Sequence, residues 1–103
     1  MIFIETEIFT SGVRALLNDE EYQHFQLFLA SQPCSGDVIP DTGGLRKVRW
    51  LAKGRGKRSG VRVIYFYRLN KDEIRLLLIY RKGVKDNLTP GEKAVLRKLN
   101  ERW

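Results

Sequence analysis

Cysteine and histidine occur once each in the 103 residues, methionine once and proline three times. The single Cys34 cannot close an internal disulfide, and one thiol with one imidazole cannot assemble a zinc cluster. With His24 alone, a pair of histidines working as general acid and base is excluded, although many ribonucleases use one. Long apolar runs are missing as well. The longest uncharged stretch, Phe25 to Gly36, is far short of the roughly 20 apolar residues needed to cross a bilayer and contains Gln26, Ser31, Gln32 and Pro33. Met1 leads into Ile2-Phe3-Ile4 with no basic leader and Glu5 interrupts the run, so no signal peptide is expected. The expected location is a reducing cytoplasm, away from any membrane. Between residues 42 and 71 there is no acid at all.

What is present is the composition of a folded globular chain, 43% apolar and 30% charged. A single domain over residues 1–103 is expected, large enough to fold around one core without metals or cross-links. The 19 Lys and Arg outnumber the 12 Asp and Glu, for a net charge of +7, and the distribution is uneven. Residues 1–41 carry seven acids and one base, Arg14, whereas residues 42–71 carry ten bases. That middle segment must either fold against the acidic N-terminal third or face an external polyanion, of which a phosphate backbone is the commonest.

Periodicity predicts an α+β fold: a small antiparallel sheet with two N-terminal helices packed on it and a C-terminal helix. Ile2-Phe3-Ile4 reads as a short strand. From about Glu7, the residues Phe9, Val13, Leu16 and Leu17 recur at helical spacing. Asn18 or Asp19 can cap a second helix with Tyr22, Phe25, Phe28 and Leu29 on one face, ended by Pro33. A short strand is expected at Val38-Ile39, and longer ones at Leu45–Ala52, Val61–Leu69 and Ile74–Tyr80, the last two joined by a turn at Asn70–Glu73. Thr89-Pro-Gly-Glu92 is a capping box ahead of a helix bearing Val95, Leu96, Leu99 and Trp103. That helix is expected across a sheet edge or beside the first two.

Lys53 to Arg62 packs five cations and three glycines into ten residues. Glycine lets backbone approach a phosphate chain, and the long side chains reach several phosphates. A solvated hairpin loop has the same composition, so this segment alone leaves both readings open. Arg62 opens a strand and shares a face with Ile64 and Phe66, where a rigid bidentate donor suits a phosphate gaining charge in a transition state. Its alternative is an ion pair with Glu5 or Glu7. Tyr80 and Lys82 share parity at the end of the next strand, which in an antiparallel pair lies beside Arg62. Tyr80 can equally be a rim aromatic and Lys85 a solvated cation. Asp86 is expected to be the only carboxylate nearby, which argues against a two-metal nuclease and for no cofactor.

The order strand, two helices, then strands carrying Gly44-Leu-Arg-Lys-Val-Arg49, Lys53-Gly-Arg-Gly-Lys-Arg-Ser-Gly-Val-Arg-Val-Ile-Tyr-Phe66 and Leu78-Ile-Tyr-Arg-Lys82 resembles the RelE/HigB superfamily of bacterial toxins. The match is nearest to the HigB-like branch and covers nearly the whole chain. The resemblance implies a RelE-like fold and the toxin of a type II toxin–antitoxin system: a metal-independent endoribonuclease, or mRNA interferase, that cuts messenger RNA, usually on the ribosome. It implies Lys53, Arg62, Tyr80 and Lys82 as catalytic candidates and Arg46, Lys47, Arg49, Arg55, Lys57, Arg58 and Lys85 as RNA-binding ones. The 2′-hydroxyl would attack the adjacent phosphate, with Lys53 or Tyr80 as base and Arg62 with Lys82 neutralising charge. The implied partners are messenger RNA, the ribosome and a HigA-like helix-turn-helix antitoxin, with operator DNA reached only through the antitoxin complex. Two further readings use the same basic face: a non-cleaving module that binds RNA or the ribosome and inhibits translation, and a DNA-binding protein, which the lack of a recognition helix disfavours.

Overall fold

Thr6 separates the first two elements. The strand β1 (Ile2–Glu5) ends at it, and its hydroxyl accepts a hydrogen bond from the Phe9 amide to cap α1 (Glu7–Leu16). Asn18 caps α2 (Asp19–Ser31): its side chain accepts from the Glu21 amide while the Glu21 carboxylate accepts from the Asn18 amide. The helix stops before Pro33, which disfavours a helical residue ahead of it. The computed structural model describes residues 1–51, 60–85 and 87–103. The expectations at Lys53, Arg55, Lys57, Arg58 and Asp86 therefore fall outside the described residues.

Four strands follow: β2 (Asp37–Val38), β3 (Arg46–Trp50), β4 (Val61–Arg68) and β5 (Glu73–Arg81). They form one five-stranded sheet in the order β1-β5-β4-β3-β2. The pairs among β2, β3, β4 and β5 are antiparallel, but β1 runs parallel to β5, so the sheet is mixed rather than antiparallel. The apolar pattern of Ile2-Phe3-Ile4 marks a strand without naming its partner. With β4 on one side of β5, the opposite edge is open to β1, and α1 then crosses β5 with Gly12 close against Ile79. Between β4 and β5 the chain turns through a short 3₁₀ segment, Leu69–Lys71, with Asp72 left-handed at φ 49°.

One sheet face is covered by the first two helices, where Phe9, Val13, Phe25 and Leu29 pack on Val48, Val63, Tyr65, Ile74, Leu76 and Ile79. The other carries α3 (Pro90–Glu101), whose Leu96 packs with Leu45, Ile64, Leu77, Tyr80 and Leu88. Both expected positions for the C-terminal helix are thus corrected: it occupies the opposite face. Only part of its apolar stripe docks it: Leu96 is buried, while Val95 stays 61% exposed. The far end is held by polar groups instead. Buried Arg75 donates to the Asn100 carbonyl at 2.9 Å and to Asn100 Oδ1 at 3.1 Å, pairs with Glu73 at 2.9 Å, and lies over the rings of Phe66 and Trp103.

A register shift in the β4–β5 pair positions the site. Ile64 faces Leu78 but Tyr65 faces Leu76, so Leu77 is an extra residue in β5. Such a bulge reverses which face later residues take. Ile74 and Leu76 therefore point to the first two helices, while Leu78 and Tyr80, of the same sequence parity, point to α3 beside Ile64 and Arg62.

Candidate nucleic-acid interface

The start of β4 and the end of β5 meet in register: Arg62 is opposite Tyr80 on one side and opposite Arg49 on the other. Directly opposed residues of antiparallel strands project from the same face. Arg49, Arg62 and Tyr80 therefore form a row across three strands on the α3 side. Lys47, two residues before Arg49, faces Ile64 and belongs to the same side. Beyond β5, Lys82 is exposed and its backbone N–H donates to the Gly60 carbonyl at 2.9 Å. The Lys85 ammonium stands 5.7 Å from the centre of the Tyr80 ring.

Two opposed guanidinium groups repel, and among the described residues no ion pair relieves Lys47, Arg49 or Arg62. Arg62 is half-buried and donates to the Val61 carbonyl at 3.5 Å. The alternative of pairing with Glu5 or Glu7 is not formed: Glu5 accepts from Thr10 at 2.6 Å and from Tyr22 at 2.5 Å, and Glu7 is exposed on α1. Lys47, Arg49 and Arg62 share a recess of about 520 Å³ with Phe28, Ser35 and Asp37. A concave, cation-lined site of this kind attracts an anion, whose arrival converts mutual repulsion into charge-assisted hydrogen bonding.

Tyr80 is buried among Leu77, Leu88 and Leu96, and among the described residues its hydroxyl has no hydrogen-bond partner. Burial pushes its pKa up, with Lys85 and Arg62 pulling the other way. The phenol is therefore a proton donor at neutral pH, not a base.

Arg46 lies apart from this row. It pairs with Tyr65, whose side chain is in the core of the first two helices, and its Nη1 donates to the Gly36 carbonyl at 2.7 Å and the Cys34 carbonyl at 3.2 Å. Tyr65 anchors the same loop, donating to the Pro33 carbonyl at 2.8 Å and accepting from the Gly36 amide at 2.9 Å. His24 is exposed on α2. The sequence reading missed Glu92. Its capping-box role was legible, but its carboxylate also pairs with Lys85, so the expectation that Asp86 is the only carboxylate nearby is corrected. The signal was its seven-residue spacing from Lys85 across a short loop. Arg75 was also missed, although a lone arginine inside Ile74-Arg-Leu-Leu-Leu-Ile79 marks a buried cation that needs partners.

Among the described residues, no helix is long and apolar enough to cross a membrane and no cluster of three or more His, Cys, Asp or Glu is placed to hold a metal. No family model matches the chain. Among solved structures, it is similar to the crystal structure of the isolated E. coli RelE toxin, with a TM-score of 0.55 and 12% identity over 95% of this chain and 97% of that one. The α+β fold, with its mixed sheet between two N-terminal helices and one C-terminal helix, is RelE-like.

Proposed function

We propose that the protein is the toxin of a type II toxin–antitoxin system, of the HigB-like branch, acting in the cytoplasm as a metal-independent mRNA interferase on ribosome-bound messages. The observation that carries this reading is the row of Arg49, Arg62 and Tyr80 with Lys85 at its end, a face at one end of a RelE-like sheet on which Arg49 and Arg62 have no ion pair among the described residues. In the proposed reaction a base, assigned to Lys53, takes the 2′-hydroxyl proton and the 2′-oxygen forms a bond to the adjacent phosphorus. Arg62, with Lys82, neutralises the charge that grows on the phosphoryl oxygens. The bond to the 5′-oxygen breaks, and that oxygen takes a proton from Lys82 or, once uncovered, Tyr80. The products are a cyclic phosphate and a 5′-hydroxyl end. Lys47, Arg49, Arg55, Lys57 and Arg58 grip the message, Arg46 supporting them through the loop it anchors, and Lys85 binds it at the phosphate that Arg62 contacts. The partner is a HigA-like helix-turn-helix antitoxin, which alone brings the complex to operator DNA.

One observation favours the second reading, a non-cleaving module that binds RNA or the ribosome: the Tyr80 hydroxyl is closed off from solvent. Mapping transcript ends after brief expression decides between them. New ends with 5′-hydroxyls support the interferase, and intact messages despite growth arrest leave the binding module.

A further inference from the structure

Glu92 uses its two carboxylate oxygens for different purposes. Oε1 accepts from the Thr89 amide at 2.9 Å, completing the cap of α3, while Oε2 is paired with the Lys85 ammonium. A cap needs only an acceptor, and glutamine serves as well as glutamate, so the capping box does not require the negative charge. Lys85 does. Its side chain rises from the loop after β5, where it would sample many rotamers without a partner. Paired with Glu92, it is held beside the Tyr80 ring, and Leu88 is buried with Tyr80 and Leu96. One side chain thus ties the first turn of α3 to the end of β5, at the strand position opposite Arg62.

We infer that Glu92 is a positioning residue: its Oε2 holds the Lys85 ammonium over the Tyr80 ring, in reach of the same anion as Arg62. The consequence for catalysis rests on the nuclease reading above, while the contact itself does not. The effect of a pure charge change is opposite to that of lost positioning. Removing one acid from a cationic face strengthens RNA binding, which lowers KM without harming turnover, whereas releasing Lys85 lowers turnover.

The test uses the whole protein and three forms of it. Glu92→Gln keeps the cap and removes the ion pair; Thr89→Ala weakens the cap and keeps the pair. Competitive acetylation at neutral pH, read by mass spectrometry with Lys82 as the internal reference, should show Lys85 reacting about threefold faster or more in Glu92→Gln and unchanged in Thr89→Ala. Equal Lys85 reactivity in Glu92→Gln and wild type overturns the inference, as does an equal gain in Thr89→Ala. On messenger RNA loaded on ribosomes, kcat of Glu92→Gln should fall about tenfold without a rise in KM. A fall in KM with kcat retained overturns positioning in favour of a mere charge effect. A wild-type protein that cleaves neither free nor ribosome-bound RNA overturns the nuclease reading alone, and the acetylation result then decides on Glu92.

Discussion

Arg62 and Arg75 lie on the same strand face of neighbouring strands, yet their surroundings assign them opposite work. Arg75 is buried with each of its three side-chain nitrogens bonded to an acceptor, on Glu73, Asn100 or Trp103. Arg62 makes no ion pair among the described residues and opens onto a recess that it shares with Lys47, Arg49 and Asp37. Arg75→Leu should destabilise the fold by about 3–5 kcal/mol, since it strips a buried cation from its partners and leaves the end of α3 without donors. Urea unfolding measures this, and a loss under 1 kcal/mol would show that the cluster is not what holds α3. Arg62→Ala should leave stability nearly unchanged and lower RNA cleavage by about 10²–10³-fold, as removing a transition-state donor does. Cleavage assays with the purified protein on ribosome-bound message check it, and unimpaired cleavage would remove Arg62 from the site. Neither contrast was legible in the residues alone, because arginine inside an apolar strand has the same pattern whether its partner is a protein carbonyl or an absent phosphate.

At the scale of elements, termini were readable and positions were not. Caps at Asn18 and Thr89 are local chemistry over three residues, and both were visible before any fold. The bulge at Leu77 and the parallel pairing of β1 depend on contacts distant in sequence, so periodicity could not show them. The loop joining α2 to β2 depends likewise on Tyr65 and Arg46 reaching back to Pro33, Cys34 and Gly36. A methyl group on Gly36 would come within 2.8 Å of the Tyr65 ring and 2.9 Å of the Lys47 carbonyl. Gly36→Ala should therefore cost about 1–3 kcal/mol and loosen β2 from β3, measurable as a lower denaturation midpoint and faster amide exchange at Val38.

For the molecule as a whole, charge and burial set the response to solvent. Tyr22, Tyr65 and Tyr80 are all pushed above the ordinary tyrosine value by burial, Tyr22 also by its bond to Glu5. Groups raised in this way lend stability that is complete below their unfolded pKa, near 10, and lost as pH rises past it. Denaturant melts at pH 8 and pH 11 should show a marked loss at the higher pH, and equal midpoints would count against burial of these phenols. RNA binding should weaken steeply with salt, and Arg49→Ala should reduce the logarithmic salt slope by about 0.7, the loss of one phosphate contact to a single strand. The amino-acid sequence by itself determined the α+β class and the helix caps, which follow from local spacing and capping, and the concentration of acids in the first third and bases in the middle. Only the tertiary structure decided that α3 covers the opposite face, that Arg49 extends the expected Arg62 and Tyr80 pair into a row, and that Glu92 pairs with Lys85. Those arrangements arise from strand register and one inserted residue, which are set by packing between segments far apart in the chain.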